Sequence, residues 1–201
     1  HGVTPWMTLY HWELPQALEV GGGWLRRETA EAFARFAGMM AQHFGNRVSH
    51  FITLNEPQIV LKLGYCDGIH APGRRYPLPR LVQCWKNLML SNGLAFRAIR
   101  STAPDAQIGI ASTGKLCYPH APADEEAARN ETFRLTDTDW MFTHPITLDA
   151  VCFGRVEPEP GALSSLMRKI SPEDWDIMHA IPDFIGVNSY NGSEIAADAD
   201  G

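Results

Sequence analysis

FITLNEPQIV (51–60) is an apolar, strand-like run that ends in an amide, a carboxylate and a proline. Phe51, Ile52 and Leu54 call for a core, whereas Asn55 and Glu56 are costly to bury unless something engages them. Pro57 biases the preceding residue away from the right-handed helical region, so Glu56 is expected on extended backbone. A carboxylate at the tip of a buried strand is either a structural acceptor for main-chain amides or a catalytic group at the mouth of a barrel. These ten residues leave both readings open.

Outward from this stretch, strand and helix patterns alternate. Residues 4–10 (TPWMTLY) form an apolar run that breaks at HWELP. Residues 29–44 place Phe33, Phe36, Ala37, Met40 and Phe44 at helical spacing, with Gly45 as the stop. After a loop rich in Gly and Pro, Leu81, Trp85, Leu88, Met89, Ala95, Phe96 and Ile99 mark a second long helix that ends before Pro104. Residues 108–112 (IGIAS) read as the next strand and 125–142 as a helix. Ser171-Pro172-Glu173-Asp174 is a helix start, and 183–187 (DFIGV) is a fourth strand. Strands apolar on both faces and separated by helices predict a parallel sheet with covered faces. A doubly wound sheet and a βα barrel both satisfy that pattern.

With 45% hydrophobic residues, 201 residues are ample for a packed core of one or two domains. A formal net charge of −6 offers nothing to nucleic acid or an anionic membrane surface. No apolar run approaches a membrane span. Cys66, Cys84, Cys117 and Cys152 form no CxxC pair and are read as buried free thiols. The eight histidines show no metal-ligand spacing, and no glycine-rich nucleotide fingerprint follows a strand. No metal or cofactor is expected.

Three strand ends carry polar or aromatic groups: Tyr10-His11-Trp12, Asn55-Glu56 and Asn188-Ser189-Tyr190. In a parallel sheet all C-terminal strand ends lie on one face, so these side chains are expected to converge. Singly, His11 reads equally as a core histidine, Trp12 as a core aromatic and Tyr190 as a rim residue. Together an imidazole, two amides, a phenol and an indole suit a sugar, whose hydroxyls need hydrogen bonds and whose apolar face needs a flat ring.

The segments TLYHWELPQALE, GGWLRRET, FITLNEP, GYCDGIHAPG and DFIGVNSY closely resemble the family 1 glycoside hydrolases, the β-glucosidase and β-galactosidase family, in family order over nearly the whole chain. The resemblance implies a (β/α)8 TIM barrel, of which this chain supplies about the middle half, its third to sixth strands. Residues 1–201 are then part of a single catalytic domain with both ends cut. It further implies Glu56 as general acid/base, Asn55 on the sugar's 2-hydroxyl, and His11 on another sugar hydroxyl with Trp12 beside it. Tyr190 would steady the nucleophile, and Asn188 would lie near the same cleft. One departure is Ser91-Asn92, where many relatives carry Ala-His.

Retaining hydrolysis needs two carboxylates about 5 Å apart. The family's nucleophile lies in an ENG motif that this chain does not contain. Glu13, Asp67 and Asp183 are poor substitutes by position. The expected function is a retaining β-glycosidase acting on a small-molecule or oligosaccharide β-glycoside. Its nucleophile would come from the remainder of the barrel, the implied partner. The rival readings are a 6-phospho-β-glycosidase and a carbohydrate-binding pseudoenzyme of the same fold.

Overall fold

The computed structural model describes residues 2–196. In chain order the first elements are β1 (Trp6–Tyr10), α1 (Gln16–Val20), α2 (Arg27–Phe44), β2 (His50–Asn55) and α3 (Pro57–Ile59). A π-helical turn at Val60–Cys66 follows, then α4 (Leu78–Thr102), β3 (Gln107–Thr113), β4 (Cys117–Pro119), α5 (Glu125–Phe133) and α6 (Pro145–Phe153). The last elements are α7 (Ala162–Met167), α8 (Pro172–Met178), β5 (Phe184–Asn188) and β6 (Ser193–Ile195).

Four strands form one parallel sheet in the order β1-β2-β3-β5, so sequential strands are neighbours and each crossover carries helices. The sheet curls. Its two edge strands would stand about 14 Å apart if flat. Yet the rings of Trp6 on β1 and Phe184 on β5 are 4.8 Å apart, and Trp6 also stacks on His50 at 4.1 Å. Contact between the two edges across a concave face is the geometry of a barrel wall and not of an open doubly wound sheet.

The convex face is covered by α2 and α4. Helix α2 buries Ala30, Phe33, Ala37 and Ala41, spaced three and four apart. Helix α4 buries Leu81, Trp85, Leu88, Asn92, Ala95 and Ile99. Against them Phe51, Leu54, Ile108 and Ile110 are essentially fully buried, each contributing about 1.5–3 kcal/mol. The unusual Asn92 is engaged: Thr53 Oγ1 on β2 donates to Asn92 Oδ1 at 2.6 Å, so two buried polar groups satisfy each other. At Gly93 a Cβ would lie 1.8 Å from the Ile177 carbonyl oxygen, so α4 and α8 touch backbone to backbone there.

The helix expected over 125–142 is corrected: α5 ends at Phe133. Polar side chains beyond it cap other turns instead of continuing the helix. Thr136 Oγ1 accepts from the Asp139 amide, and the Asp137 carboxylate accepts from the Ala162 and Leu163 amides. Helices α6 and α7 occupy sequence with no strong periodic signal. Helix α8 starts where expected, with Ser171 Oγ accepting from the Asp174 amide at 3.2 Å. The four cysteines are free, and of them only Cys84 is fully buried. Among the described residues no helix is long and apolar enough to cross a membrane.

Candidate active site

The C-terminal ends of β1, β2 and β5 bring the six sequence-derived candidates together. Asn188 Nδ2 donates to Glu56 Oε1 at 2.6 Å and to Asn55 Oδ1 at 3.2 Å. The Tyr190 hydroxyl donates to the same Glu56 oxygen at 2.8 Å. Asn55 Nδ2 lies 3.4 Å from His11 Nε2. The Trp12 indole donates to the Asn55 carbonyl at 2.9 Å, so its ring is fixed edge-on to β2.

Local backbone explains the aim of these side chains. Between Ile52 and Asn55 two residues of β2, Thr53 and Leu54, oppose one of β3, Ile110, an irregularity of the kind that redirects side chains at a strand end. Glu56 itself is not extended, contrary to expectation; it sits at φ 46°, ψ 61°, in the left-handed region. Pro57 disfavours the right-handed helical region for Glu56, and a left-handed residue meets that constraint while turning the chain straight into α3. Trp12, at φ 86°, is the only other non-glycine residue with positive φ among the described residues. Two such residues, each costing about 1–3 kcal/mol, both lie in this cluster.

Glu56 is only 3% exposed. Its partners are side chains: Oε1 takes both hydrogen bonds, and among the described residues neither oxygen is bound by a main-chain amide. That removes the structural-acceptor reading in which backbone nitrogens lock the carboxylate. The Tyr190 phenol is raised above its usual range by its hydrogen bond to Glu56 and by that residue's charge, so it stays a donor. The resemblance had Tyr190 steadying a nucleophile; in this chain its hydroxyl rests on Glu56.

Behind β1 a buried carboxylate anchors the following loop. Tyr65 and Arg74 donate to the two oxygens of Glu19 at 2.8 and 3.0 Å. Burial first, and then Glu19, pushes the Tyr65 phenol up. This loop carries His70, whose ring lies 5.5 Å from that of Trp12. The sequence marked His70 only as part of a motif.

The other carboxylates lie elsewhere. Asp67 is paired with Lys62, and Asp183 accepts from Arg100 and the Ile108 amide at the opposite end of β5. Glu13 is exposed. Among the described residues no group of acidic, histidine or cysteine side chains is arranged to hold a metal ion. Sequence reasoning missed a buried polar cluster formed by Gln58, Ser112, Thr143 and His144. Its only sequence signal is a glutamine inside an otherwise apolar turn.

The strand ends of this barrel wall thus gather a carboxylate, two amides, an imidazole, an indole and a phenol in one cluster. The profile of glycosyl hydrolase family 1 matches residues 1–200, and the chain belongs to that family. It is 36% identical to Beta-glucosidase A of Thermotoga maritima over 99% of this chain and 44% of that protein. It is likewise 36% identical to Beta-glucosidase A of Acetivibrio thermocellus, over 98% of this chain and 43% of the relative. The solved family 1 β-glucosidase from Thermotoga maritima superposes with a TM-score of 0.79 at 32% identity, covering 99% of this chain and 43% of that one. The fold is therefore a section of a TIM barrel, and the chain spans less than half the length of these relatives.

Proposed function

We propose that this chain carries the acid/base half of a retaining β-glycosidase, acting on β-glucosides, within a single catalytic barrel domain. The observation that carries this is the state of Glu56. It is buried at a strand end, held through one oxygen by Asn188 and Tyr190, and its second oxygen takes no hydrogen bond among the described residues. A carboxyl group tethered by one oxygen presents the other to a leaving group.

In the first step protonated Glu56 donates to the glycosidic oxygen as a nucleophile from the rest of the barrel attacks the anomeric carbon. In the second, the Glu56 carboxylate takes a proton from water, which attacks the glycosyl-enzyme. Asn55 and His11 are placed to hold sugar hydroxyls, and Trp12 to cover an apolar sugar face. Asn188 bridges the 2-hydroxyl ligand and the acid, so binding and protonation are geometrically linked.

The test is Glu56→Ala in the polypeptide that includes the remaining strands. Hydrolysis of alkyl glucosides should fall by about 100- to 10,000-fold. Activated aryl glucosides, which leave without a proton, should be affected far less in the glycosylation step. Equal losses on both classes sink the assignment. Comparing phosphorylated with plain aryl glucosides, in the unaltered protein, separates this reading from a 6-phospho-β-glycosidase.

A further inference from the structure

Gln58, two residues beyond Glu56, is 2% exposed and lies in the first turn of α3. Its Nε2 donates to Ser112 Oγ at 2.8 Å and to the Thr143 carbonyl at 3.2 Å. Ser112 Oγ lies 2.9 Å from His144 Nδ1. The Gln58 amide donates to the serine oxygen, and that same hydroxyl sits within hydrogen-bond distance of the His144 ring, so Ser112 links the two side chains. Burial lowers the affinity of His144 for a proton. Among the described residues Gln58 Oε1 has no partner, an orphan acceptor in a fully buried side chain. The side chain is held by what its nitrogen does.

The cluster grips the strained residue from both sides. The Glu56 amide donates to the Ala111 carbonyl at 2.8 Å, and Gln58 binds Ser112, the very next residue of β3. Helix α3 has no side-chain cap of its own to hold Glu56 in the left-handed region. The far anchor is rigid as well. A Cβ on Gly114 would lie 2.7 Å from the His144 nitrogen, and the Lys115 amide donates to the Phe142 carbonyl at 3.1 Å. The end of β3 and the 142–144 segment are thus docked backbone to backbone.

We propose that Gln58, braced by Ser112 and His144, is the positioning residue that holds Glu56 in its left-handed backbone conformation and so aims its free oxygen at the leaving group. This rests on the reading of Glu56 as acid/base. Gln58→Leu keeps the side-chain bulk and removes the hydrogen bonds. The backbone at Glu56 is then free to relax, and an error of an ångström in a proton donor costs about 10- to 100-fold.

The experiment compares Gln58→Leu, Ser112→Ala and Glu56→Ala in the polypeptide that includes the remaining strands. It reads kcat/KM on a dinitrophenyl glucoside and on an alkyl glucoside, with melting temperature in parallel. The proposal requires Gln58→Leu and Ser112→Ala to lose about 10- to 100-fold more on the alkyl substrate than on the activated one. If both variants lose equally on the two substrates while Glu56→Ala keeps its split, the cluster is packing only and the proposal is overturned. If Glu56→Ala itself shows no split, the acid/base reading falls and this one with it. Where Gln58→Leu does not fold, Ser112→Ala decides by the same criterion.

Discussion

Asn188 and Glu56 are 132 residues apart in sequence and 2.6 Å apart in space, amide to carboxylate. The same Asn188 nitrogen reaches Asn55 at 3.2 Å, so one side chain from β5 ties together the two polar residues that end β2. A hydrogen bond to a charged group is worth about 1.5–3 kcal/mol. Asn188→Ala should therefore lower kcat/KM for alkyl glucosides by about 10- to 100-fold, with a smaller effect on activated aryl glucosides. Steady-state kinetics on the two substrates check this, and an unchanged alkyl glucoside rate refutes it.

The contact between Tyr190 and Glu56 can be read from the tyrosine. The carboxylate accepts the phenolic hydrogen bond and its negative charge disfavours a tyrosinate beside it. Replacing Glu56 with Gln removes that charge, so the Tyr190 titration should move to lower pH. Ultraviolet difference titration of Glu56→Gln against the parent, each with a Tyr190→Phe control, measures it. No movement means that the two groups do not touch in solution.

His144 gives a pH dependence of stability. Burial holds its folded pKa below the ordinary value of about 6.5. As pH falls through that ordinary value, the unfolded chain takes up a proton that the folded chain still refuses. The contribution of His144 is thus complete above about pH 6.5 and is lost progressively below it. His144→Asn should show a shallower fall in melting temperature between about pH 7 and 5 than the parent. Parallel curves would contradict the assignment.

Gly93 marks a contact that tolerates no side chain. A Cβ there would stand 1.8 Å from the Ile177 carbonyl oxygen, so Gly93→Ala must push α8 away from α4. The expected cost is about 3 kcal/mol, at the upper end of overpacking effects. Chemical denaturation checks it; a loss below about 1 kcal/mol means that the helices part easily.

The elements that bury a clean stripe or a continuous apolar run were legible in the sequence. Helices α2 and α4 announce themselves through residues spaced three and four apart, and β1, β2, β3 and β5 through short apolar runs. The six candidate residues were legible for a related reason: parallel strands share one C-terminal face, so polar groups at their ends converge whatever the loops do. Helix α5 was overextended because Thr136 and Asp137 look compatible with a helix until their distant partners are known. Helix α6 lacked a polar face from which a period could be read.

What the sequence determined by itself is local and periodic: which runs seek a core, where Pro57 disfavours a right-handed turn, and which strand ends carry polar and aromatic groups. Only the tertiary structure decided between the extended and left-handed forms of Glu56. It alone curled the sheet until Trp6 met Phe184, and it alone put Asn188 and Tyr190 on a single carboxylate oxygen. These outcomes depend on hydrogen bonds and ring contacts between residues as much as 178 positions apart, Trp6 to Phe184 (184 − 6). A local pattern specifies what a residue needs, and only the closed fold specifies which distant group supplies it.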